Sequence, residues 1–227
     1  MIISIEGMDG SGKTTISKRI AEKIGYKYIE KPLKEYLHLS DLEYETICQK
    51  VYLLNDDLKA LFFGFSNLLG IQCKQKNIIL DKHILSTYFW NGTKLNEQLF
   101  DFLVSIGIFP DLTIILYSSV ENRIHHIKIR NNDDKDLLDP QKMSFGYDKM
   151  LYFVEKSKKP YVFINGDNLT FDEIVDRIIN IIAVCSRLSE KEIFMYCCSL
   201  NTAEFRKNDK IMKLCFRGDN YNENRRW

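Results

Sequence analysis

The stretch Gly7-Met8-Asp9-Gly10-Ser11-Gly12-Lys13-Thr14 satisfies the pattern G-x-x-x-x-G-K-[ST] of a phosphate-binding loop. It follows the apolar run 1–6 (MIISIE), which is typical of a buried strand, and apolar residues recur at helical spacing from Lys13 to Ile24. Strand, loop and helix in this order are the context that the motif requires. The alternative is a glycine-rich turn that matches by chance, and the alignment of all three parts disfavours it.

The motif predicts how a triphosphate is held. Its glycines let several backbone N–H groups point at one anion, and the following helix adds its positive end. Lys13 then reaches the β- and γ-phosphates, and the Thr14 hydroxyl is a ligand for Mg²⁺. We therefore expect ATP and Mg²⁺ as cofactors, in a site formed by Gly7, Met8, Asp9, Gly10, Ser11, Gly12, Lys13, Thr14 and Thr15.

Strand and helix patterns alternate along the chain. Further strands are predicted at 26–30, 77–81, 110–117 and 160–164, and further helices at 42–73, 95–106, 120–130, 145–156 and 171–184. Pro32 is expected to close the second strand, and the polar segment 131–140 is predicted to be a loop. This alternation predicts an α/β fold, with a doubly wound parallel sheet of five strands and helices on both faces.

The pattern changes after about Cys185. We expect one phosphate-loop α/β domain over residues 1–185 and an appendage over 186–227, which holds one helical stretch at 190–200 and a polar, basic tail. The sequence does not indicate what the appendage does.

Composition excludes some partners. A net charge of +1 gives no overall field that would attract a nucleic acid polymer or an anionic membrane, and no apolar stretch is long enough to cross a bilayer. Six cysteines without C-x-x-C spacing, and an N-terminal apolar run too short for a signal peptide, predict reduced thiols in a cytoplasmic protein.

Four segments resemble motifs of the thymidylate kinase family, in the same order and spacing. Residues 5–15 (IEGMDGSGKTT) resemble its first motif, and residues 81–87 (DKHILST) resemble D-R-[YHW]-x-x-S-[ST]. Residues 110–113 (PDLT) resemble P-D-[LV]-T, and residues 121–130 (ENRIHHIKIR), which run into an acidic loop, resemble the helix and lid that follow. The resemblance covers residues 1–183.

The resemblance implies a P-loop kinase fold with a helical lid over about 123–143. It also implies phosphoryl transfer from Mg·ATP to a nucleoside monophosphate, above all dTMP to dTDP. We also expect a homodimer. Lys13, Asp9, Arg130 and Asp81 are the expected catalytic residues.

Individual roles follow from the matched positions. Asp9 matches a carboxylate that holds the acceptor sugar near the metal, and Asp81, at the end of a buried strand, is expected to hold Mg²⁺ through water. The alternative for Asp81 is a strand-end cap. Arg123 matches an arginine near the adenine, and Arg130 matches one near the phosphates. A solvated basic helix face is the alternative for the neighbouring histidines and Lys128.

The acceptor side is matched less completely. Ser86 and Thr87 match positions that line the acceptor pocket, and Trp90 stands where the family often has a tyrosine near the sugar. Helix packing is the alternative for these residues. Lys82 replaces a family arginine that contacts phosphate, so the charge is kept and the bidentate fork is lost.

One departure leaves the acceptor open. The family has an F-x-x-[AD]-R segment near 50–70, whose arginine grips the acceptor phosphate, but this chain has no arginine between Arg19 and Arg123. Lys59 is the expected substitute. If no side chain grips a phosphate, the acceptor is a nucleoside or another hydroxyl compound, which needs a general base. Glu30 is then the candidate, by similarity to deoxynucleoside kinases.

Two further alternatives stay open. The first is a nucleotide-binding regulator or degenerate kinase without turnover. The second is an interaction protein that works through residues 186–227.

Overall fold

The computed structural model describes residues 1–72, 76–130 and 140–206. Its five strands are all parallel and form one sheet in the order β2-β3-β1-β4-β5. The strands are β1 (Ile2–Glu6), β2 (Lys27–Ile29), β3 (Ile78–Asp81), β4 (Leu112–Tyr117) and β5 (Tyr161–Asn165). The predicted five-stranded P-loop fold is therefore confirmed.

Ten helices surround the sheet within the described ranges. They are α1 (Lys13–Ile24), α2 (Pro32–Leu37), α3 (Asp41–Val51), α4 (Asp56–Gln72), α5 (Ile84–Asn91), α6 (Glu97–Ser105), α7 (Val120–Arg130), α8 (Pro140–Lys156), α9 (Phe171–Cys185) and α10 (Glu190–Arg206). Among these helices, none combines the length and the apolar character that crossing a bilayer requires.

Both faces of the sheet are buried, because successive strand residues point to opposite sides. Ile114 of β4 belongs to a cluster with Ile16 of α1 and Ile178 of α9. Its neighbour Ile115 belongs to a second cluster with Phe153 of α8. Burial on both faces explains why the strands are continuous apolar runs.

Several predicted boundaries were wrong. The predicted helix at 42–73 is two helices, α3 and α4, because the chain turns at 52–55, where the Asn55 side chain caps α4 by accepting the Leu58 N–H at 3.0 Å. Pro32 begins α2 instead of closing β2. Proline is tolerated there because the first N–H groups of a helix have no partner within the helix, so the missing N–H of proline costs no hydrogen bond. Helix α5 was not predicted, and α8 begins at Pro140, where a loop was expected.

The expected lid is described in part. Residues 123–130 lie in α7 and residue 140 begins α8, whereas 131–139 lie outside the described residues. The basic tail was predicted to follow the helical stretch 190–200, but α10 continues to Arg206, and residues 207–227 lie outside the described ones.

Helix α10, within the expected appendage, packs along the edge strand β5. The Asn201 side chain accepts the Phe163 N–H at 2.8 Å and donates to the Tyr161 carbonyl at 2.9 Å. The Glu204 carboxylate accepts the Asn165 N–H at 3.3 Å. These side chains satisfy groups that another strand would otherwise pair, and so they protect the sheet edge. The boundary at residue 185 stays a prediction.

We expect Asn201→Ala to lower the free energy of unfolding by about 1–3 kcal/mol, because it leaves a buried N–H and a carbonyl of β5 without their partner. Urea unfolding followed by circular dichroism measures this. Thr202→Ala, at an exposed position of the same helix, is the matched control and should change stability by less than about 0.5 kcal/mol. Equal stability of both variants would contradict a role of Asn201 in holding the edge.

Candidate active site

A cavity of about 1150 Å³ opens at the carboxyl ends of β1, β2 and β3. Such an edge is where open α/β sheets bind ligands. Fourteen of the residues expected in the site line the cavity: Asp9, Gly10, Gly12, Lys13, Thr14, Thr15, Glu30, Lys59, Asp81, Lys82, Ser86, Thr87, Trp90 and Arg130.

Four expected residues do not line the cavity: Gly7, Met8, Ser11 and Arg123. The Met8 N–H donates to the hydroxyl of Tyr147 at 3.4 Å. Arg123 is 1% exposed; its Nε donates to the Ser118 carbonyl at 3.1 Å, and its guanidinium lies 5.6 Å from the centre of the Tyr147 ring. The structure therefore places Arg123 beneath the phosphate loop.

The phosphate loop has the backbone that the motif predicts. Gly10 and Gly12 have φ of 83° and 84°, in the left-handed region that glycine adopts without strain. Neighbours exclude a side chain at both positions: a Cβ would lie 2.7 Å from the Arg123 carbonyl oxygen at Gly10 and 2.6 Å from the Phe171 ring at Gly12. Helix α1 begins directly after Gly12, so its N-terminus faces the cavity.

Lys13 and Lys82 meet at one carboxylate. Lys13 Nζ is buried and donates to the Met8 carbonyl at 2.9 Å and to Asp9 Oδ1 at 3.2 Å. Lys82 Nζ donates to the same oxygen at 3.0 Å. Burial alone would raise the pKa of Asp9, but the two ammonium groups hold that pKa below its ordinary value. Burial, together with repulsion from Lys82, lowers the pKa of Lys13.

The residues at the end of β3 fit a divalent cation. Asp81 is 1% exposed; its Oδ2 accepts the Tyr28 hydroxyl at 2.9 Å, while its buried Oδ1 has no hydrogen-bond partner. Thr14 lines the same cavity. An unpartnered buried carboxylate oxygen and a hydroxyl beside a phosphate loop are oxygen donors of the kind that Mg²⁺ takes.

Helices α4 and α5 form another part of the cavity wall. Phe63 and Asn67 of α4 line the cavity, and so do Ser86, Thr87, Trp90 and Asn91 of α5. The Asn67 amide donates to Thr87 Oγ1 at 2.8 Å. Lys59 lines the cavity one turn before Phe63, and its Nζ is 3.3 Å from Asp56 Oδ1.

The sequence contained a signal for Phe63 and Asn67 that was missed. They have the i, i+4 spacing of the family segment F-x-x-[AD]-R, with asparagine in place of arginine. Lys59 was predicted instead, because it is a cation. Further lining residues were not among those expected in the site; they include His126, whose Nδ1 is 2.9 Å from the Gly10 carbonyl oxygen, and Phe171, whose ring covers Gly12.

Glu30 and Arg130 are exposed residues at the rim of the cavity. Glu30 follows β2. The pKa of the Tyr28 hydroxyl is raised by burial and by the nearby carboxylates of Asp81 and Glu30. Arg130 ends α7. The cavity lining therefore combines the phosphate loop, Lys13 and the carboxylates of Asp9 and Asp81 with the mixed aromatic and polar wall of α4 and α5.

No family model matches the chain. The thymidylate kinase of Mesomycoplasma hyopneumoniae strain J is 28% identical over 211 residues, which cover 79% of this chain and 95% of that protein. The structure of thymidylate kinase from Candida albicans has a TM-score of 0.61 at 22% identity, over 81% of this chain and 91% of that one. A deoxyadenosine kinase from M. mycoides, with dCMP and dCDP bound, has a TM-score of 0.57 at 19% identity, over 81% of this chain and 100% of that one.

The structural neighbours share the fold, and the Mesomycoplasma hyopneumoniae thymidylate kinase aligns with this chain over nearly its whole length. Together with the phosphate loop and the three further motifs, these findings show that the chain is a P-loop nucleotide kinase similar to thymidylate kinases.

Proposed function

We propose that the chain transfers the γ-phosphoryl group of Mg·ATP to a nucleoside monophosphate, with dTMP as the first acceptor to test. The observation that carries this proposal is one continuous cavity. Its lining combines the phosphate loop and Lys13 with the α4–α5 wall, which includes Phe63 and Trp90. A donor bound at the loop and an acceptor bound at this wall meet at the end of β3.

On the donor side, the loop amides and the N-terminus of α1 bind the phosphates. Lys13 is already directed into the loop by Met8 and Asp9, so its charge is fixed where negative charge develops during transfer. Thr14 and Asp81 would hold Mg²⁺, which supplies further neutralisation of that charge. Arg130 at the rim neutralises the phosphates when the proposed lid over about 123–143 closes.

On the acceptor side, Asp9 and Lys82 lie closest to the donor residues, because the Asp9 carboxylate accepts hydrogen bonds from both Lys82 and Lys13. Ser86, Thr87 and Asn67 form a polar floor, and the Phe63 and Trp90 rings offer faces for a base. Most of the rate then comes from holding two anions in line and neutralising their charge.

A hydroxyl acceptor is the second candidate. Among the described residues, Arg130 is the one arginine that lines the cavity, and the cations near the acceptor wall are lysines. Glu30 lies at the rim beside the end of β3, where it would serve as the general base that a nucleoside hydroxyl needs.

A panel of nucleosides and nucleoside monophosphates, with ADP release as the readout, separates these candidates. We expect ADP release with dTMP and none with thymidine, and we expect Lys13→Ala to lower turnover by roughly 10²–10³-fold, since it removes a preorganised charge. Lys23→Ala, at the exposed far end of α1, is the control. Release with thymidine alone would favour the hydroxyl acceptor, and ATP binding without release for any acceptor would favour a kinase without turnover.

We expect Asp81→Asn to raise the Mg²⁺ concentration for half-maximal activity by roughly 10–100-fold, because a charged oxygen ligand becomes neutral. A Mg²⁺ titration at fixed total ATP measures this. The control is Asp57→Asn, at an exposed position of α4 outside the cavity. An unchanged Mg²⁺ requirement would identify Asp81 as a strand-end cap that only binds Tyr28.

We also propose that the chain forms a homodimer through an apolar stripe on α4 and α6. Leu58, Leu61 and Phe65 are exposed, and their spacing of three and four residues places them on one face of α4. Helix α6, which carries exposed Phe102, packs directly against α4: a Cβ at Gly64 would lie 2.7 Å from Leu103. Exposed apolar patches of this kind mark interaction surfaces.

We expect the wild-type chain to have twice its monomer mass of 26.7 kDa, and Phe65→Glu to have the monomer mass. A buried charge in the proposed interface has no partner there. Size-exclusion chromatography with light scattering measures both masses. Met195→Glu, at an exposed apolar position on α10, should stay dimeric. A monomeric wild-type chain would remove this proposal.

A further inference from the structure

Helix α5 supplies a large part of the acceptor wall. Four of its residues, Ser86, Thr87, Trp90 and Asn91, line the cavity. The helix has eight residues, and His83 at its N-cap makes no side-chain capping bond. A helix this short has little stability of its own. Its placement therefore depends on what holds its ends.

The N-terminus of α5 is held by Glu6. This residue ends β1, directly before the phosphate loop, and it is fully buried. Its Oε1 accepts the Leu85 N–H at 3.0 Å, and its Oε2 accepts the Ser86 N–H at 3.3 Å and the Ser86 hydroxyl at 2.6 Å. A carboxylate at a helix N-terminus is favourable, because it meets the first free N–H groups and the positive end of the dipole.

The C-terminus of α5 is held by Lys149 of α8. Its Nζ donates to the Phe89 carbonyl at 2.8 Å and to the Gly92 carbonyl at 2.6 Å. The ammonium group also lies 5.5 Å from the centre of the Tyr88 ring. A cation at this end complements the negative end of the dipole. Both ends of α5 are thus bound by charges of the favourable sign, one from β1 and one from α8.

We propose that Glu6 and Lys149 are positioning residues, which fix α5 and the acceptor wall relative to the strand that carries the phosphate loop. The proposal rests on the proposed function in one respect, namely that α5 faces the acceptor. Neither residue lines the cavity, so each acts through α5.

The two charges do not serve stability near neutral pH. Burial raises the pKa of Glu6 to about 7 against the opposing bonds from α5 and the charge of Lys13, and burial lowers the pKa of Lys149 to about 8 against the charge of Asp56 on α4. Because the pKa of Glu6 is higher in the folded chain than in the unfolded chain, the free energy of unfolding falls as pH rises toward about 7. Because the pKa of Lys149 is lower in the folded chain than in the unfolded chain, the free energy of unfolding falls as pH drops toward about 8. Charges that are kept at such a cost are typical of functional geometry.

The test uses Glu6→Gln and Lys149→Met in the full chain, with steady-state kinetics for dTMP and for ATP. Loss of bonds to a charged group, and the resulting shift of α5, should raise the KM for dTMP at least about tenfold. The KM for ATP should stay within about twofold, because the phosphate loop keeps its own contacts. The controls are Glu22→Gln, exposed on α1, and Lys156→Met, on α8 with ion pairs to Glu97 and Asp101.

Dependence on pH gives a second readout. The KM for dTMP in the wild type should rise below about pH 7, as Glu6 takes up a proton, and Glu6→Gln should lack this part of the profile. Ionisation of the substrates is common to both proteins and cancels in the ratio of their KM values. A ratio that is constant between pH 5.5 and 8 would overturn the role of Glu6.

Hydrogen exchange of residues 84–92 tests the arrangement without any substrate. Exchange there should be faster in both variants than in their controls. If a variant does not fold, Glu6→Asp or Lys149→Arg, which keep the charge and change its reach, takes its place, and exchange of residues 84–92 should again be faster than in the controls. Unchanged exchange would overturn the proposal. Absence of turnover with every acceptor would defeat the proposed function, while exchange would still decide how α5 is held.

Discussion

The buried ammonium group of Lys13 is the constraint around which the site is arranged. Burial disfavours its charge, so the loop must supply partners, and it does so with the Met8 carbonyl and the Asp9 carboxylate. Asp9 in turn also binds Lys82, which brings the residue after β3 to the phosphate loop. One buried cation thus determines how the ends of β1 and β3 are joined before any ligand binds.

The same edge of the sheet joins the donor and acceptor sides. Glu6 is the last residue of β1, and it binds the N-terminus of α5, while the next residues of the chain form the phosphate loop. A displacement of β1 would therefore move both walls of the cavity together. Side chains on rigid elements keep such geometry better than side chains on loops, and here a strand end and a helix N-terminus meet directly.

Sequence patterns predicted some parts of this arrangement and not others, for physical reasons. The phosphate loop was predictable because its backbone needs glycine at fixed positions, such as Gly10 and Gly12 with positive φ. Helix α5 was not, because its capping residue Glu6 lies far away in the sequence. Arg123 was expected near the adenine because it matches a family arginine, yet a matched position does not distinguish a cation in a cavity from one buried against Tyr147. Asn67 was not predicted, because the family pattern has a charged arginine at a position where this chain has an amide.

That amide has a consequence for a phosphorylated acceptor. With Asn67 neutral, an acceptor phosphate has to be met by lysines, and Lys82 is the lysine bound to Asp9. A phosphate that draws Lys82 toward itself weakens the contact with Asp9, and Asp9 then depends more on Lys13. The charge balance at Lys13 therefore changes when the acceptor binds, before transfer begins. If the acceptor is phosphorylated, as proposed, the amide at position 67 couples acceptor binding to the donor site through the Asp9 carboxylate, which Lys13 and Lys82 share.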